Sequence, residues 1–139
     1  MARGVILCLD DDLDGLIGRE ELLKLHGYQV LISTSAEQAV RLLKKHPVGG
    51  VILDYQMPEM TGDEVARHMK RARPEVRIMM LSAHERLPAE ALAEVDTFVS
   101  KAKPPRDFLA AVNDLMAHDD NPPFFTRWLH DWTQRSRAA

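Results

Sequence analysis

The chain has 139 residues, of which 45% are hydrophobic and 28% are charged, and its formal net charge is −3. This size and composition predict one compact domain with its own core. The slightly negative charge, with lysines and arginines scattered along the chain, argues against nucleic-acid binding. The apolar runs are far too short for a membrane span or a signal peptide, so we expect a cytoplasmic protein.

Short apolar runs alternate with segments of helical spacing along the chain. Continuous apolar runs of this length are typical of parallel strands that are buried on both faces. The predicted strands are 5–9, 28–32, 51–54, 78–81 and 97–100. Helices are predicted after each strand, over 13–26, 36–46, 61–73, 88–94 and 105–117. Strands and helices in alternation indicate a doubly wound, five-stranded parallel α/β sheet flanked by five helices, the fourth of them shortened.

Residues with special backbone or capping preferences mark the ends of these helices. Gly27 occupies the C-terminal capping position of the first helix. Ser35 begins a capping-box pattern at the start of the second helix, and Pro47 follows its end. Pro74 closes the third helix and Pro105 begins the last. The predicted helix boundaries therefore agree with the apolar periodicity.

Polar side chains follow the apolar strands where each strand ends. Asp10 and Asp11 follow the first strand, Asp54 ends the third, Ser82 ends the fourth, and Lys101 follows the fifth. Because the carboxyl ends of parallel strands form one edge, we expect these groups to converge there.

Three neighbouring carboxylates repel one another unless a cation joins them, and Mg²⁺ prefers such oxygen ligands. A carboxylate beside the metal can act as a nucleophile, while a lysine and a hydroxyl can hold a phosphoryl group. The pattern therefore predicts phosphoryl-transfer chemistry, which depends mainly on positioning and electrostatics. The competing interpretation of the aspartates is a solvated loop that precedes a helix, and it remains the better account of Asp12.

The ordered motifs resemble those of receiver domains of two-component response regulators. The resemblance covers residues 4–117 and implies the flavodoxin-like strand order 2-1-3-4-5. The segments that carry it are Leu9-Asp10-Asp11-Asp12, Leu53-Asp54-Tyr55-Gln56-Met57-Pro58-Glu59-Met60-Thr61-Gly62, Leu81-Ser82-Ala83-His84 and Phe98-Val99-Ser100-Lys101.

The resemblance also implies roles for single residues at the acidic edge. Asp54 would be the phosphoacceptor. Asp11 would bind Mg²⁺ directly, Asp10 would bind it through water, and Gln56 would offer its backbone carbonyl to the metal.

Three further residues would respond to the phosphoryl group. Lys101 would hold it, Ser82 would turn toward it, and Phe98 would move inward. Phe98 has an equally good interpretation as simple core. Lys103, which precedes a proline, is the alternative phosphate-binding lysine, although the distance of Lys101 from Phe98 favours Lys101.

The first departure from the family pattern is Lys103-Pro104 after Lys101, and the second lies between Ser82 and Lys101. The stretch between Ser82 and Lys101 is short, so the fourth helix should be truncated. The resemblance then implies an unusual surface where such domains change on phosphorylation, and neutral loop variation is the competing interpretation.

The receiver is predicted to span residues 1–118. Residues 119–139 form an aromatic tail, for which a short amphipathic helix is one interpretation. Docking on its own domain or homodimerisation would bury its aromatic side chains, and contact with a kinase or an output protein is the alternative. Asp131 and the small number of arginines argue against membrane contact.

The resemblance implies a single-domain response regulator that is not an enzyme beyond its own phosphorylation and dephosphorylation. Its donor would be a sensor histidine kinase or a histidine phosphotransfer protein, and it would signal through contact with an output protein that the sequence does not identify. Two alternatives stay open. One is a phosphorelay intermediate or phosphate sink, and the other is a degenerate receiver that acts as a constitutive interaction module.

Overall fold

A computed structural model of the chain describes residues 3–117. The aromatic tail predicted over 119–139, and the domain boundary at residue 118, lie outside the described residues and stay predictions. Within residues 3–117, no helix is long and apolar enough to cross a bilayer.

Strands and helices alternate along the described chain as the apolar pattern predicts. Each strand is four to six residues long, which suits strands buried beneath helices on both faces. The elements are β1 (Val5–Leu9), α1 (Leu13–Leu25), β2 (Gln29–Ser33), α2 (Ala36–Lys45), β3 (Gly50–Asp54), α3 (Gly62–Ala72), β4 (Arg77–Ser82), a 3-10 turn (Ala89–Leu92), β5 (Thr97–Ser100) and α4 (Pro105–Ala117).

The five strands form one parallel sheet in the order β2-β1-β3-β4-β5, which confirms the predicted fold class. The pairing register aligns the carboxyl ends of the strands. Leu9 pairs with Leu53, Asp54 pairs with Leu81, and Ser82 pairs with Ser100. The polar residues that end or follow these strands therefore lie along one edge of the sheet.

The helices cover both faces of the sheet, so the domain has two cores. Leu7 and Leu9 of β1 point to the side of α2 and α3, where Leu43 and Met69 are buried. The alternating residues of β1 point to the opposite side, toward α1 and α4. The sheet is therefore enclosed, and its polar edge is fixed by rigid elements on both sides.

Local capping signals act largely as the sequence predicts. Gly27 has a φ of +92° just after α1, a conformation that side chains with a Cβ rarely adopt. The Ser35 hydroxyl accepts a hydrogen bond from the N–H of Gln38 at 3.2 Å, which caps α2. The reciprocal half of the capping box is absent from this pair, because the Gln38 side chain instead accepts a hydrogen bond from the Ser33 hydroxyl at 2.9 Å.

The described region contains four α-helices rather than the five that the sequence predicts. Between β4 and β5 the only helical segment is the 3-10 turn, although a shortened helix was expected there. Pro88 fixes the start of this turn, and the residues from 89 to 96 are too few for both a full helix and the return to β5. Asp96 also accepts a hydrogen bond from the N–H of Ile78 at 2.8 Å, which holds the end of the connection against β4.

Candidate functional site

Three carboxylates converge at the carboxyl edge of the sheet. Asp10 directly follows β1 and is only 1% exposed, while Asp54 ends the neighbouring strand β3 and is 5% exposed. Asp11 lies beside them and is exposed. One oxygen from each of the three carboxylates lies within 4.8 Å of the others. The structure thus brings together the acidic residues that the sequence pattern selects.

Lys101 bridges the two buried carboxylates. Its Nζ lies 3.0 Å from Asp54 Oδ1 and 3.1 Å from Asp10 Oδ2. The lysine follows β5, and its backbone N–H donates to the carbonyl of Ser82 at 2.7 Å. This backbone bond extends the pairing of β4 and β5 by one residue and fixes the direction from which the ammonium group reaches the acids.

Among the described residues, the Asp10 carboxylate has two further partners, and the sequence motifs do not indicate the second. Its Oδ1 accepts a hydrogen bond from the N–H of Asp12 at 2.9 Å. Its Oδ2 accepts a hydrogen bond from the guanidinium of Arg19 in α1, and the two groups form an ion pair. The missed signal is positional: Arg19 follows Leu16 by three residues and precedes Leu23 by four, so it shares the buried face of α1. A charge on a buried helix face needs a partner.

The pKa values of the two buried acids, Asp54 and Asp10, are shifted in opposite directions. Burial raises the pKa of Asp54, the negative charge of Asp10 raises it further, and Lys101 only partly opposes this. Burial acts in the same direction on Asp10, but the Asp12 N–H, Lys101 and Arg19 together hold its pKa below its ordinary value. Burial would lower the pKa of Lys101, yet its contacts with Asp54 and Asp10 raise it. Asp54 is therefore the less well compensated carboxylate.

An open cleft of about 570 Å³ leads to the acidic cluster. Gln56 lines this cleft, and its Nε2 lies 3.0 Å from Nε2 of His84. The cleft is lined by Asp11, Asp54, Gln56, Met57, Pro58, Thr61, Ala83 and Lys101. The cleft gives a reactant of modest size access to Asp54 between polar and apolar side chains.

Gly62 allows α3 to begin directly against the site. A Cβ at this position would lie 2.8 Å from the carbonyl oxygen of Asp54 and 2.7 Å from Met80 Sδ. The N–H of Gly62 also donates to the carbonyl of Tyr55 at 2.8 Å. Glycine at this position is thus required by close approach, because any side chain would push α3 away from the end of β3.

The remaining predicted residues lie around the cluster in different settings. Ser82 is buried, and its hydroxyl accepts a hydrogen bond from the N–H of His84 at 3.1 Å. Phe98 is partly buried and packs against the core on the side of α2 and α3. Lys103, the alternative phosphate-binding lysine, lines a different cavity that also contains Phe98. The structure therefore brings Lys101 to Asp54 and does not bring Lys103 there.

The donor set fits a hard divalent cation. Carboxylate oxygens at the spacing of Asp10, Asp11 and Asp54 are the ligands that Mg²⁺ takes, usually with several waters retained. A cation between these acids would also relieve the repulsion from Asp10 that contributes to the raised pKa of Asp54.

The fold and the acidic cleft together define a class: a doubly wound parallel α/β domain with a carboxylate cluster at the carboxyl edge of its sheet. A family model described as the response regulator receiver domain matches residues 6–113. The chain therefore belongs to the receiver domain family of two-component signal transduction, as its motifs indicate.

Relatives and solved structures agree with this assignment. Response regulator SaeR of Staphylococcus aureus is 29% identical over 115 residues, which cover 80% of this chain and 50% of SaeR. The chain thus spans about half the length of the curated relatives it matches.

Among solved structures, the receiver domain protein of Methanospirillum hungatei aligns with a TM-score of 0.77 at 22% identity, over 84% of this chain and 96% of its own, and supports the fold alone. Response regulator TrrA of Thermotoga maritima, in complex with Mg²⁺ and BeF, aligns with a TM-score of 0.75 at 25% identity over 81% and 98%.

Proposed function

We propose that this receiver accepts a phosphoryl group on Asp54 in a Mg²⁺-dependent reaction and signals through protein contact. The observation that carries the proposal is the placement of Lys101 Nζ 3.0 Å from Asp54 Oδ1, in a cleft that also presents Asp11. A nucleophilic carboxylate, a cation to hold phosphoryl oxygens and a carboxylate cluster for a metal are the parts that phosphoryl transfer needs. The TrrA structure, whose complex contains Mg²⁺ and BeF, supports the same assignment by similarity.

The metal would be held by Asp10, Asp11, Asp54 and the backbone carbonyl of Gln56. When bound, Mg²⁺ supplies positive charge beside the phosphoryl oxygens and lowers the repulsion between them and the carboxylates. The chain contributes the oxygen ligands and, through the burial of Asp10 and Asp54, a fixed geometry for them.

The covalent step transfers one phosphoryl group between two side chains. An Asp54 carboxylate oxygen attacks the phosphorus atom of a phosphohistidine, an O–P bond forms, and the P–N bond breaks with its electron pair returning to the imidazole. Lys101 then exchanges its contact with Asp54 for a phosphoryl oxygen. The Ser82 hydroxyl turns from the His84 N–H toward the same group, and Phe98 moves inward behind it.

The donor would be a sensor histidine kinase or a histidine phosphotransfer protein. Helix α1 presents two exposed apolar residues one turn apart, Leu13 and Ile17, and Leu13 follows the acidic loop closely. Exposed apolar side chains at i and i+4 form a surface suited to an amphipathic partner helix. This placement would bring the donor histidine to the mouth of the cleft. We propose that the exchange takes place in the cytoplasm, that the chain catalyses only its own phosphorylation and dephosphorylation, and that the output partner reads the resulting change.

A second candidate is a relay intermediate or phosphate sink. The observation that favours it is the contact between Gln56 and His84 at the cleft, where a side chain can orient or exclude an attacking water. The lifetime of the aspartyl phosphate, measured with and without a histidine acceptor, separates the two candidates. A degenerate receiver is the third possibility, and the complete set of Asp10, Asp11, Asp54 and Lys101 argues against it.

The test is chemical labelling with a small phosphodonor such as acetyl phosphate, followed by intact-mass measurement with and without Mg²⁺. We expect a single phosphoryl addition that requires Mg²⁺ and is lost in Asp54→Asn. The matched control is Asp14→Asn, which changes an exposed acid in the first turn of α1. Equal labelling of wild type and Asp54→Asn would overturn the proposal.

A further inference from the structure

Arg19 is a second internal cation of the acidic site, and its contacts differ from those of Lys101. Its guanidinium pairs with Asp10 Oδ2, and its side chain is only 18% exposed. The Nε of Arg19 is buried and has no hydrogen-bond partner in the part of the chain that the structure describes. Burial of the guanidinium costs hydration free energy, and the ion pair with Asp10 is the interaction that offsets this cost.

The surroundings of Asp10 leave little of its carboxylate for a metal. A carboxylate offers about four lone-pair directions. The Asp12 N–H uses Oδ1, and Lys101 and Arg19 both use Oδ2. Lys101 also contacts Asp54, and in the proposed function it exchanges that contact for a phosphoryl oxygen. Arg19 reaches the site from α1, and its ion pair is with Asp10.

The charges of the site can be counted. Asp10, Asp11 and Asp54 with Lys101 alone would carry −2, the charge that one Mg²⁺ neutralises, whereas Arg19 brings the cluster to −1. With Arg19 present, bound Mg²⁺ leaves an excess positive charge before phosphorylation. Conversion of the Asp54 carboxylate to an acyl phosphate adds about one negative charge and restores the balance.

We propose that Arg19 acts as a built-in competitor of the metal: it weakens Mg²⁺ binding to the unphosphorylated site and keeps the metal-free acids in a stable arrangement. The inference rests on the proposed function, because it takes the same carboxylates as the metal site. It assigns to α1 a residue that sets the metal affinity of the site without being a metal ligand.

The experiment measures Mg²⁺ binding to the unphosphorylated chain by isothermal titration calorimetry with MgCl₂. Arg19→Gln removes the charge but keeps an N–H donor for Asp10, and Arg19→Met removes both. Arg19→Lys keeps the charge. The matched control is Lys24→Gln, which removes one positive charge from an exposed position of the same helix.

We expect Arg19→Gln and Arg19→Met to bind Mg²⁺ about tenfold more tightly than wild type, since a unit charge in direct contact with a carboxylate of the metal site changes a binding equilibrium by that order. Arg19→Lys and Lys24→Gln should remain within about twofold of wild type. Equal or weaker binding in both neutral Arg19 variants would overturn the inference, as would the absence of Mg²⁺ binding in all variants.

The Mg²⁺ dependence of thermal unfolding provides a readout that a merely structural role of Arg19 would not change. The neutral Arg19 variants should have a lower Tm than wild type without metal, and saturating Mg²⁺ should shrink that difference, because the metal replaces the lost charge. A Tm difference that is the same at all Mg²⁺ concentrations would mean that Arg19 only fastens α1 to the sheet. Labelling of Asp54 by acetyl phosphate in wild type is measured separately, so failure of this inference and failure of the proposed function are distinguishable.

Discussion

Lys101 Nζ lies 3.0 Å from Asp54 Oδ1, although Asp54 ends β3 and Lys101 follows β5, and β4 separates these two strands in the sheet. The lysine must therefore extend over the carboxyl end of β4 to reach the acid. Lys103, two residues further along the same loop, lines another cavity.

Substitution of these two lysines should have very different effects on phosphorylation. Lys101→Met should slow labelling of Asp54 by acetyl phosphate about a hundredfold, because a positioned charge that stabilises the transferring phosphoryl group is lost. Lys103→Met is the matched control and should label at the wild-type rate. The measurement is the initial rate of phosphoryl incorporation at saturating Mg²⁺. A larger loss in Lys103→Met than in Lys101→Met would reverse the assignment of the two lysines.

Asp54→Asn and Asp10→Asn should change metal-free stability in opposite directions. The pKa of Asp54 is raised, so its ionised form is unfavourable in the fold, and Asp54→Asn should raise the free energy of unfolding. The pKa of Asp10 is lowered by partners that would lose their counter-charge, so Asp10→Asn should lower that free energy by about 3 kcal/mol. Urea unfolding at neutral pH without metal measures both. Changes of the same sign would contradict the electrostatic account.

The pH dependence follows from the same two shifts. The pKa of Asp54 is raised above 3.8, the ordinary carboxyl pKa, so as pH falls the folded chain takes up a proton at Asp54 before the unfolded chain does. Falling pH therefore removes the unfavourable contribution of the Asp54 charge to stability. The Asp10 charge stabilises the fold fully at a pH above the ordinary carboxyl pKa, and this stabilisation is lost as pH falls below that pKa. The stability advantage of Asp54→Asn over wild type should therefore shrink as pH is lowered from 7 toward about 4. An advantage that stays constant over this range would contradict the raised pKa of Asp54.

Gly62→Ala tests the close approach of α3 to the site. The added methyl group would meet the Asp54 carbonyl and Met80, so we expect a loss of about 2 kcal/mol of stability and slower labelling of Asp54. Gly18→Ala is the control, because a Cβ there meets no atom within 4 Å and the glycine lies inside α1. It should stabilise the chain by about 0.5–1 kcal/mol. Equal effects of the two substitutions in urea unfolding would exclude the steric explanation.

The exposed apolar pair on α1 should matter only for a protein donor. Ile17→Ala should reduce phosphoryl transfer from a phosphorylated histidine kinase about tenfold, as expected for truncation of an interface side chain. Labelling by acetyl phosphate should be unchanged, because that donor needs no docking surface. Leu25→Ala, at the most exposed apolar position of the same helix, is the control. A parallel loss with both donors would place the effect in the site rather than in docking.

The sequence was sufficient for the fold because the apolar runs, Gly27 and the prolines each specify an element or its end independently of tertiary context. It was also sufficient to bring Asp10, Asp54 and Lys101 to one edge, since parallel strands align their carboxyl ends. The helix predicted over 88–94 was too long, because periodicity does not count the residues that a return to β5 requires.

Helix α1 was the element least accessible to sequence reasoning. Leu13, Leu16, Ile17 and Leu23 recur at helical spacing along it, yet only Leu16 and Leu23 are buried. Arg19 occupies that buried face, and its role depends on the distance to Asp10, which only the packing of α1 on the sheet determines. Periodicity identifies a face but does not identify the partner that a charge on it will find.

The most direct test of the central claim is to locate the phosphoryl group. The chain would be labelled with acetyl phosphate and Mg²⁺ and then reduced with borohydride, which converts an aspartyl phosphate to homoserine, and its peptides would be sequenced by mass spectrometry. The account predicts homoserine at position 54 and unmodified aspartate at positions 10 and 11. Homoserine at either of those two positions, or at none of the three, would contradict it.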